Sequence, residues 1–184
     1  MIDKKEIRRK IKNMRLVLTE EEKQRAAEKV FSRLEQTAPF LMATHILMYH
    51  SLPDELSTHA FLKKWCDKKR FYLPRVNGVN LEILPYEQSR LELGSFHIEE
   101  PSGDDVVNPD ILELIVTPGV AFDRKGSRLG RGKGYYDRLL ATTKATTIGV
   151  AYHFQMFDEI PLEEHDVPVN IVITDEGLYL TAEQ

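Results

Sequence analysis

The chain has one cysteine, Cys66, and one tryptophan, Trp65, in 184 residues. A single cysteine excludes an internal disulfide framework and a cysteine-built zinc cluster. Its place beside Trp65 in a predicted helix marks it as a packing residue. Long apolar runs are missing as well. No window approaches the roughly 20 residues that span a bilayer, and the basic N-terminus lacks the apolar stretch of a secretion signal. The expected location is the cytoplasm, with no membrane partner. Internal repeats and low-complexity segments are also absent. What is present is a globular composition, 42% hydrophobic and 29% charged, over a length that suits one domain, 1–184, with a real core.

The net charge is only −4, but its distribution is uneven. Residues 1–15 hold seven Lys/Arg against two acids, and residues 123–138 hold six against two, so the two windows carry +9 and the other 153 residues −13. A nucleic-acid binder spreads basic charge over a face of a basic domain. Two local patches on an acidic body suit a small polyanion such as a nucleotide, so no nucleic-acid partner is expected.

The second window lies in the stretch around which the chain is organised. An apolar strand, Leu112 to Val116, leads into a loop with Gly126, Gly130, Gly132 and Gly134. Arg124, Lys125, Arg128, Arg131 and Lys133 are interleaved, and a helix begins near Tyr135. Glycines let the backbone turn several N–H groups toward one point, and the cations and the helix start add positive potential. The pattern suits a phosphate group, although a flexible solvated loop can have the same composition. It is not a Walker A loop, because Gly134 follows Lys133 and Ser127 stands where the upstream glycine belongs. Nor does its G-x-G-x-G spacing match a dinucleotide fingerprint.

Elsewhere helices alternate with strands. Asp3 can cap a first helix with Ile7, Ile11, Met14 and Leu18 as its apolar stripe, leaving Lys4, Arg8 and Lys12 on another face. Thr19 and Glu22 form a capping box for a second helix buried through Ala26, Val30, Phe31 and Leu34, with Pro39 just beyond its end. His45–His50 reads as a buried strand. The segment after it, S-L-P-D-E-L-S-T from Ser51, leads into a helix with Phe61, Leu62 and Trp65 inward. Loops at the carboxyl ends of strands hold ligands in open α/β sheets, so His50 and Glu55 are candidate contacts. Phe71–Val76 and Leu81–Tyr86 flank Asn77-Gly78 and predict an antiparallel hairpin, with Pro74 suggesting an edge or a bulge. Residues 87–110 read as one long loop. The helix from Tyr135 should bury Tyr136, Leu139 and Leu140. Asp137 in its first turn would repel phosphate unless a cation such as Mg²⁺ lies between them, and Asp166 on a later loop is a second possible carboxylate. Thr147–Tyr152 and Asn170–Thr174 are the last strands. The fold class is a three-layer α/β/α sandwich on a mostly parallel open sheet with one antiparallel hairpin.

The run P-G-V-A-F-D-R-K-G-S-R-L-G-R-G-K-G-Y-Y-D from Pro118 to Asp137 resembles the signature of 5-formyltetrahydrofolate cyclo-ligases, also called methenyltetrahydrofolate synthetases. The resemblance extends to K-K-E-I-R-R at Lys4, L-P-D-E-L-S-T at Leu52, L-P-R-V at Leu73, E-E-P before Ser102 and H-D-V-P-V-N at His165. It implies closure of 5-formyltetrahydrofolate to 5,10-methenyltetrahydrofolate with ATP and Mg²⁺, releasing ADP and phosphate. It also implies a fold shared with sugar-phosphate isomerases and CoA transferases, and a monomer is expected. By this resemblance Lys4 and Arg8 contact ATP. Arg128, Leu129, Gly130, Arg131, Gly132, Lys133, Gly134, Tyr135 and Tyr136 wrap the triphosphate. Arg131, Lys133 and Tyr135 act in catalysis. His50 and Glu55, with Arg131 and Tyr135, line the folate site, and Asp137 and Asp166 hold Mg²⁺. Two alternatives are a non-catalytic nucleotide-binding module and an ATP-dependent enzyme for another folate-like substrate. A sugar-phosphate isomerase would need no triphosphate loop.

Overall fold

Strands covered on both faces must be apolar at successive positions. That condition shapes four segments: Ile46-Leu47, Leu114-Ile115-Val116, Ile148 to Ala151, and Ile171-Val172-Ile173, all buried or nearly so. The computed structural model describes residues 2–94 and 99–181. Its first half runs α1 (Lys4–Leu16), α2 (Glu20–Glu35), α3 (Ala38–Met42), β1 (His45–Leu47), α4 (His59–Trp65), β2 (Arg70–Asn77) and β3 (Asn80–Pro85). Then come β4 (Leu91–Leu93), β5 (Glu99–Pro101), β6 (Leu114–Thr117), β7 (Ala121–Phe122), β8 (Arg128–Leu129) and α5 (Tyr135–Leu140). The last strands are β9 (Thr146–Ala151), β10 (Ile171–Thr174) and β11 (Leu178–Leu180).

Seven strands form the main sheet in the order β11-β10-β9-β6-β1-β2-β3. The inner five are parallel, and β3 and β11 close the two edges antiparallel. The hairpin expected from Asn77-Gly78 is β2–β3, whereas the second antiparallel edge, β11, had no counterpart in the sequence reading. Because side chains alternate along a strand, Ile46, Leu114, Val116, Ile148, Val150, Ile171 and Ile173 pack on one face with α2, α3 and α4. Leu47, Ile115, Ala151 and Val172 pack on the other with Phe122 and Leu140. The fold is the expected mostly parallel α/β sheet with helices packed on it.

Several local expectations need correction. Cys66 is exposed, because α4 ends at Trp65 and the thiol falls in the following turn. The stripe of α1 is Ile7, Ile11 and Arg15; Leu18 lies past the end of the helix and Met14 is half-buried. Pro39 does lie just beyond α2, and it also starts the short α3, which the sequence reading did not foresee. β2 is an inner strand of the sheet, but at Pro74 its β1-facing side is a local edge, and there is no bulge. Pro74 stands opposite Ile83, whose carbonyl accepts from Val107 on the far side, and β1 has already ended at Leu47, opposite Tyr72. No ladder bond is therefore lost by the missing N–H. The 87–110 segment holds the β4–β5 ribbon instead of forming one loop; its residues 95–98 lie outside the described residues.

The glycine-rich stretch is also more structured than a single loop. β7 and β8 pair as a hairpin closed by Asp123, which is 1% exposed. Its Oδ1 accepts from the N–H groups of Lys125 and Ser127, and its Oδ2 from Ile160. This turn carries Arg124 away to lie over the Tyr179 ring. Phe122 in the hairpin sits against the sheet where Gly119 and Gly149 have no side chain, and a Cβ on either would collide with its ring.

Candidate active site

A cavity of about 1080 Å³ opens at the carboxyl ends of β1 and β6. Every residue singled out as a candidate lines it: Lys4, Arg8, His50, Glu55, Arg128 to Asp137, and Asp166. Arg124 and Lys125 do not, so only the part of the basic stretch after Ser127 faces this space.

The glycine segment is held from two sides. On one side α1 packs Ile7 and Ile11 against Val120, Ala121, Leu129 and Ile160. That contact directs Arg8 at the segment, and its Nε donates to the Gly130 carbonyl at 2.9 Å. Gly132 takes φ +101° and Gly134 φ +73°, conformations that L side chains rarely adopt. On the other side Arg138 of α5 donates to the carbonyls of Lys133 at 2.9 Å and Val79 at 2.7 Å, tying the segment to the tip of the β2–β3 hairpin. A side chain at Gly134 would meet Arg138 Nη1 at 2.8 Å. The Tyr135 hydroxyl reaches the same hairpin tip at the Gly78 carbonyl.

Beneath the segment, Arg128 is buried, donates through Nε to the Pro118 carbonyl at 2.8 Å, and places its guanidinium 4.9 Å from the Tyr136 ring centre. Burial lowers the pKa of this guanidinium and raises that of the Tyr136 hydroxyl, so the tyrosine stays neutral under the cation.

The opposite wall comes from the loop after β1. Ser51 and Thr58 exchange hydrogen bonds across it, Ser51 N–H to Thr58 Oγ1 at 3.1 Å and Thr58 N–H to Ser51 Oγ at 2.9 Å. The Tyr49 hydroxyl donates to the Leu56 carbonyl at 2.8 Å. This closed turn points Glu55 inward, where Oε1 accepts from Leu52 N–H and Oε2 lies 3.7 Å from Arg131. Burial raises the Glu55 pKa, and the Leu52 bond and Arg131 act against that rise. His50 stacks on His59 at 4.1 Å and lies 3.8 Å from Glu99. Burial, then repulsion from His59, lowers its pKa, so the ring is neutral at pH 7.

Asp137 and Asp166 both line the cavity, the latter beside Lys4 of α1. Asp137 Oδ1 accepts from the N–H of Val167, the neighbour of Asp166. Asp166 accepts from Lys4 Nζ at 2.8 Å, and Glu163 lies 3.3 Å from the same ammonium. Lys4 and Asp166, expected on ATP and on Mg²⁺ respectively, are thus paired with each other. Burial by itself would raise Asp166 and lower Lys4, but their hydrogen bond, the bonds to Glu163 and the attraction between the charges together outweigh it and shift both toward the charged forms. No cluster of three or more His, Cys, Asp or Glu side chains converges as a metal cage among the described residues. Two carboxylates that line one cavity with Arg8, Arg131 and Lys133 suit a Mg²⁺ ion, which one or two carboxylates and the phosphates of a nucleotide would hold.

Three polar contributors escaped the sequence reading. Arg138 and Asp54 lie beside residues that were singled out. Arg15 had a visible signal, because it falls four residues after Ile11 and so on the buried stripe.

Among the described residues no helix is long and apolar enough to cross a membrane. The chain is 35% identical over 179 residues to the 5-formyltetrahydrofolate cyclo-ligase of Escherichia coli K12, covering 92% of this chain and 98% of that one. Among solved structures, the 5,10-methenyltetrahydrofolate synthetase of Aquifex aeolicus superimposes with TM-score 0.89 at 36% identity, over 98% of this chain and 94% of the other. The Mycoplasma pneumoniae 5,10-methenyltetrahydrofolate synthetase gives 0.76 at 26% identity, over 95% and 99%. The model of one family matches residues 1–175, and with these relatives it shows that the chain belongs to the 5-formyltetrahydrofolate cyclo-ligase family.

Proposed function

We propose that this enzyme closes 5-formyltetrahydrofolate to 5,10-methenyltetrahydrofolate at the expense of ATP, which leaves as ADP and phosphate. The observation that carries this reading is the meeting of the basic glycine segment and the carboxyl-end loop of β1 across one cavity. A triphosphate fits the first and a polar heteroaromatic substrate the second.

The formyl oxygen is a poor leaving group at neutral pH. Transfer of the γ-phosphoryl group converts it to a phosphate ester, breaking the bond to ADP. The N10 lone pair then attacks the activated carbon, the N10 proton is lost, and the C–O bond breaks as phosphate departs. Such a transfer depends on positioning and on neutralising charge, so no protein nucleophile is required. Arg131 and Lys133 meet the phosphoryl oxygens, and the backbone from Leu129 to Gly134 shapes the pocket around the chain of phosphates. Arg128 supplies fixed charge from below, stacked on Tyr136. Arg8 fixes the segment through Gly130 and, with Lys4, adds charge at the α1 end. Tyr135, at the hairpin tip, and the wall formed by His50 and Glu55 orient the folate. Asp137 and Asp166 would hold Mg²⁺, which neutralises phosphate charge when bound.

Absorbance in the near ultraviolet, where the methenyl product absorbs and the substrate does not, tests this directly. The expected result is a rise that requires ATP and Mg²⁺ together. No rise, with ATP still bound, would exclude this substrate; no ATP binding would exclude the reading altogether.

A further inference from the structure

Arg15 presents a problem of charge that the cavity does not explain. Its side chain, from the last turn of α1, is 7% exposed, and it is not among the residues that line the cavity. Its Nη2 donates to the Gly119 carbonyl at 3.3 Å. Among the described residues one carboxylate forms an ion pair with it: Asp54, whose Oδ2 is 3.5 Å from Nη1. A buried guanidinium deprived of its carboxylate is strongly penalised, so Arg15 fixes Asp54 from behind.

Asp54 has a second partner. Both of its oxygens accept from Arg131 Nη2, at 3.1 and 3.2 Å. Arg131 is half-exposed, stands between Gly130 and Gly132, and faces the cavity. A long side chain on a glycine-flanked backbone has little of its own to hold it. Among the described residues its side-chain hydrogen bonds run through Nη2 alone, which leaves the rest of the five-donor fork for an anion.

We propose that Asp54 is a positioning residue. Anchored on the buried Arg15, it orients the Arg131 guanidinium so that the remaining N–H groups meet the transferring phosphoryl group. The proposal rests on the role given to Arg131 above. It separates two neighbouring acids: Glu55 lines the cavity, whereas Asp54 lines none of it and acts through Arg131.

A double-mutant cycle on turnover tests the relay. Asp54→Asn should lower kcat about 10-fold in the wild-type background and less than about 2-fold beside Arg131→Ala, where there is nothing left to orient. Equal losses in the two backgrounds, or no loss in the first, would overturn the relay alone. Normal turnover of the single Arg131→Ala variant would overturn the role of Arg131, and the relay with it. A third background separates positioning from folding. Arg15→Met removes the buried charge together with its need for a partner, so Asp54→Asn there leaves no orphaned cation. A loss of turnover smaller than in the wild-type background is the expected result, because the anchor is gone while the bonds to Arg131 remain; an undiminished loss would remove Arg15 from the relay, and none at all would make Asp54 only the counter-ion of Arg15.

Discussion

Lys133 and its neighbours show how little one side chain decides about the backbone that carries it. The carbonyl of Lys133 is held by Arg138, and the glycines beside it sustain the two positive φ angles. Both of these supports remain when the ammonium is removed. Lys133→Ala should lower turnover about 10²-fold, as loss of a charged stabiliser of a developing anion does, while still giving a folded protein. A variant that folds and turns over normally would remove Lys133 from the chemistry. Arg128 is the contrasting case. Its charge is buried on Tyr136 and tied to Pro118, so its contribution cannot be separated from packing.

At the scale of elements, helix ends and apolar stripes set most of the layout. α2 starts at a complete capping box, with Glu22 N–H donating to Thr19 Oγ1 and Thr19 N–H to Glu22 Oε1, each at 3.1 Å. It then lays Ala26, Val30, Phe31 and Leu34 on the sheet. We expect Thr19→Ala to cost about 1 kcal/mol in urea unfolding while leaving turnover unchanged, since Thr19 does not line the cavity. A loss below a few tenths of that would mean the packed face alone holds the helix. This box and stripe were legible because both are local patterns. The β4–β5 ribbon and β11 were not. Their strands are three residues long, and pairing partners, rather than periodicity, define them.

For the whole molecule, carboxylates held by hydrogen bonds set the response to acid. Glu113 accepts from the N–H groups of Thr44 and His45, both at 2.9 Å, joining the amino ends of β1 and β6, and these bonds lower its pKa. Glu22, Glu82 and Asp105 are lowered in the same way, by Thr19, Arg75 and Arg90. A carboxyl lowered in the folded state gives stability that is full above its unfolded value, about 4.3 for glutamate, and is lost as pH falls through the folded value. Glu55, raised by burial, works in the opposite sense. Glu113→Gln should therefore be less stable than wild type at pH 7, with the gap narrowing as pH falls below about 4.3. Urea midpoints measured across that range check this, and a gap that stays constant into acid would exclude it.

The sequence by itself determined the alternation of helices and strands, the β2–β3 hairpin, and part of the cavity wall, though not Arg138 or Glu163. Those features are carried by spacing, turn chemistry and a contiguous motif, all readable over a few residues. Only the tertiary structure decided which charges meet. Lys4 and Asp166 are 162 positions apart, Arg131 and Asp54 are 77 apart, and no local pattern specifies such pairs. It also split the basic stretch, sending Arg124 to Tyr179 and Arg131 to the cavity, because Asp123 closes a turn between them. The fate of a charge depends on the surroundings that burial creates, and those are assembled from segments distant in the chain.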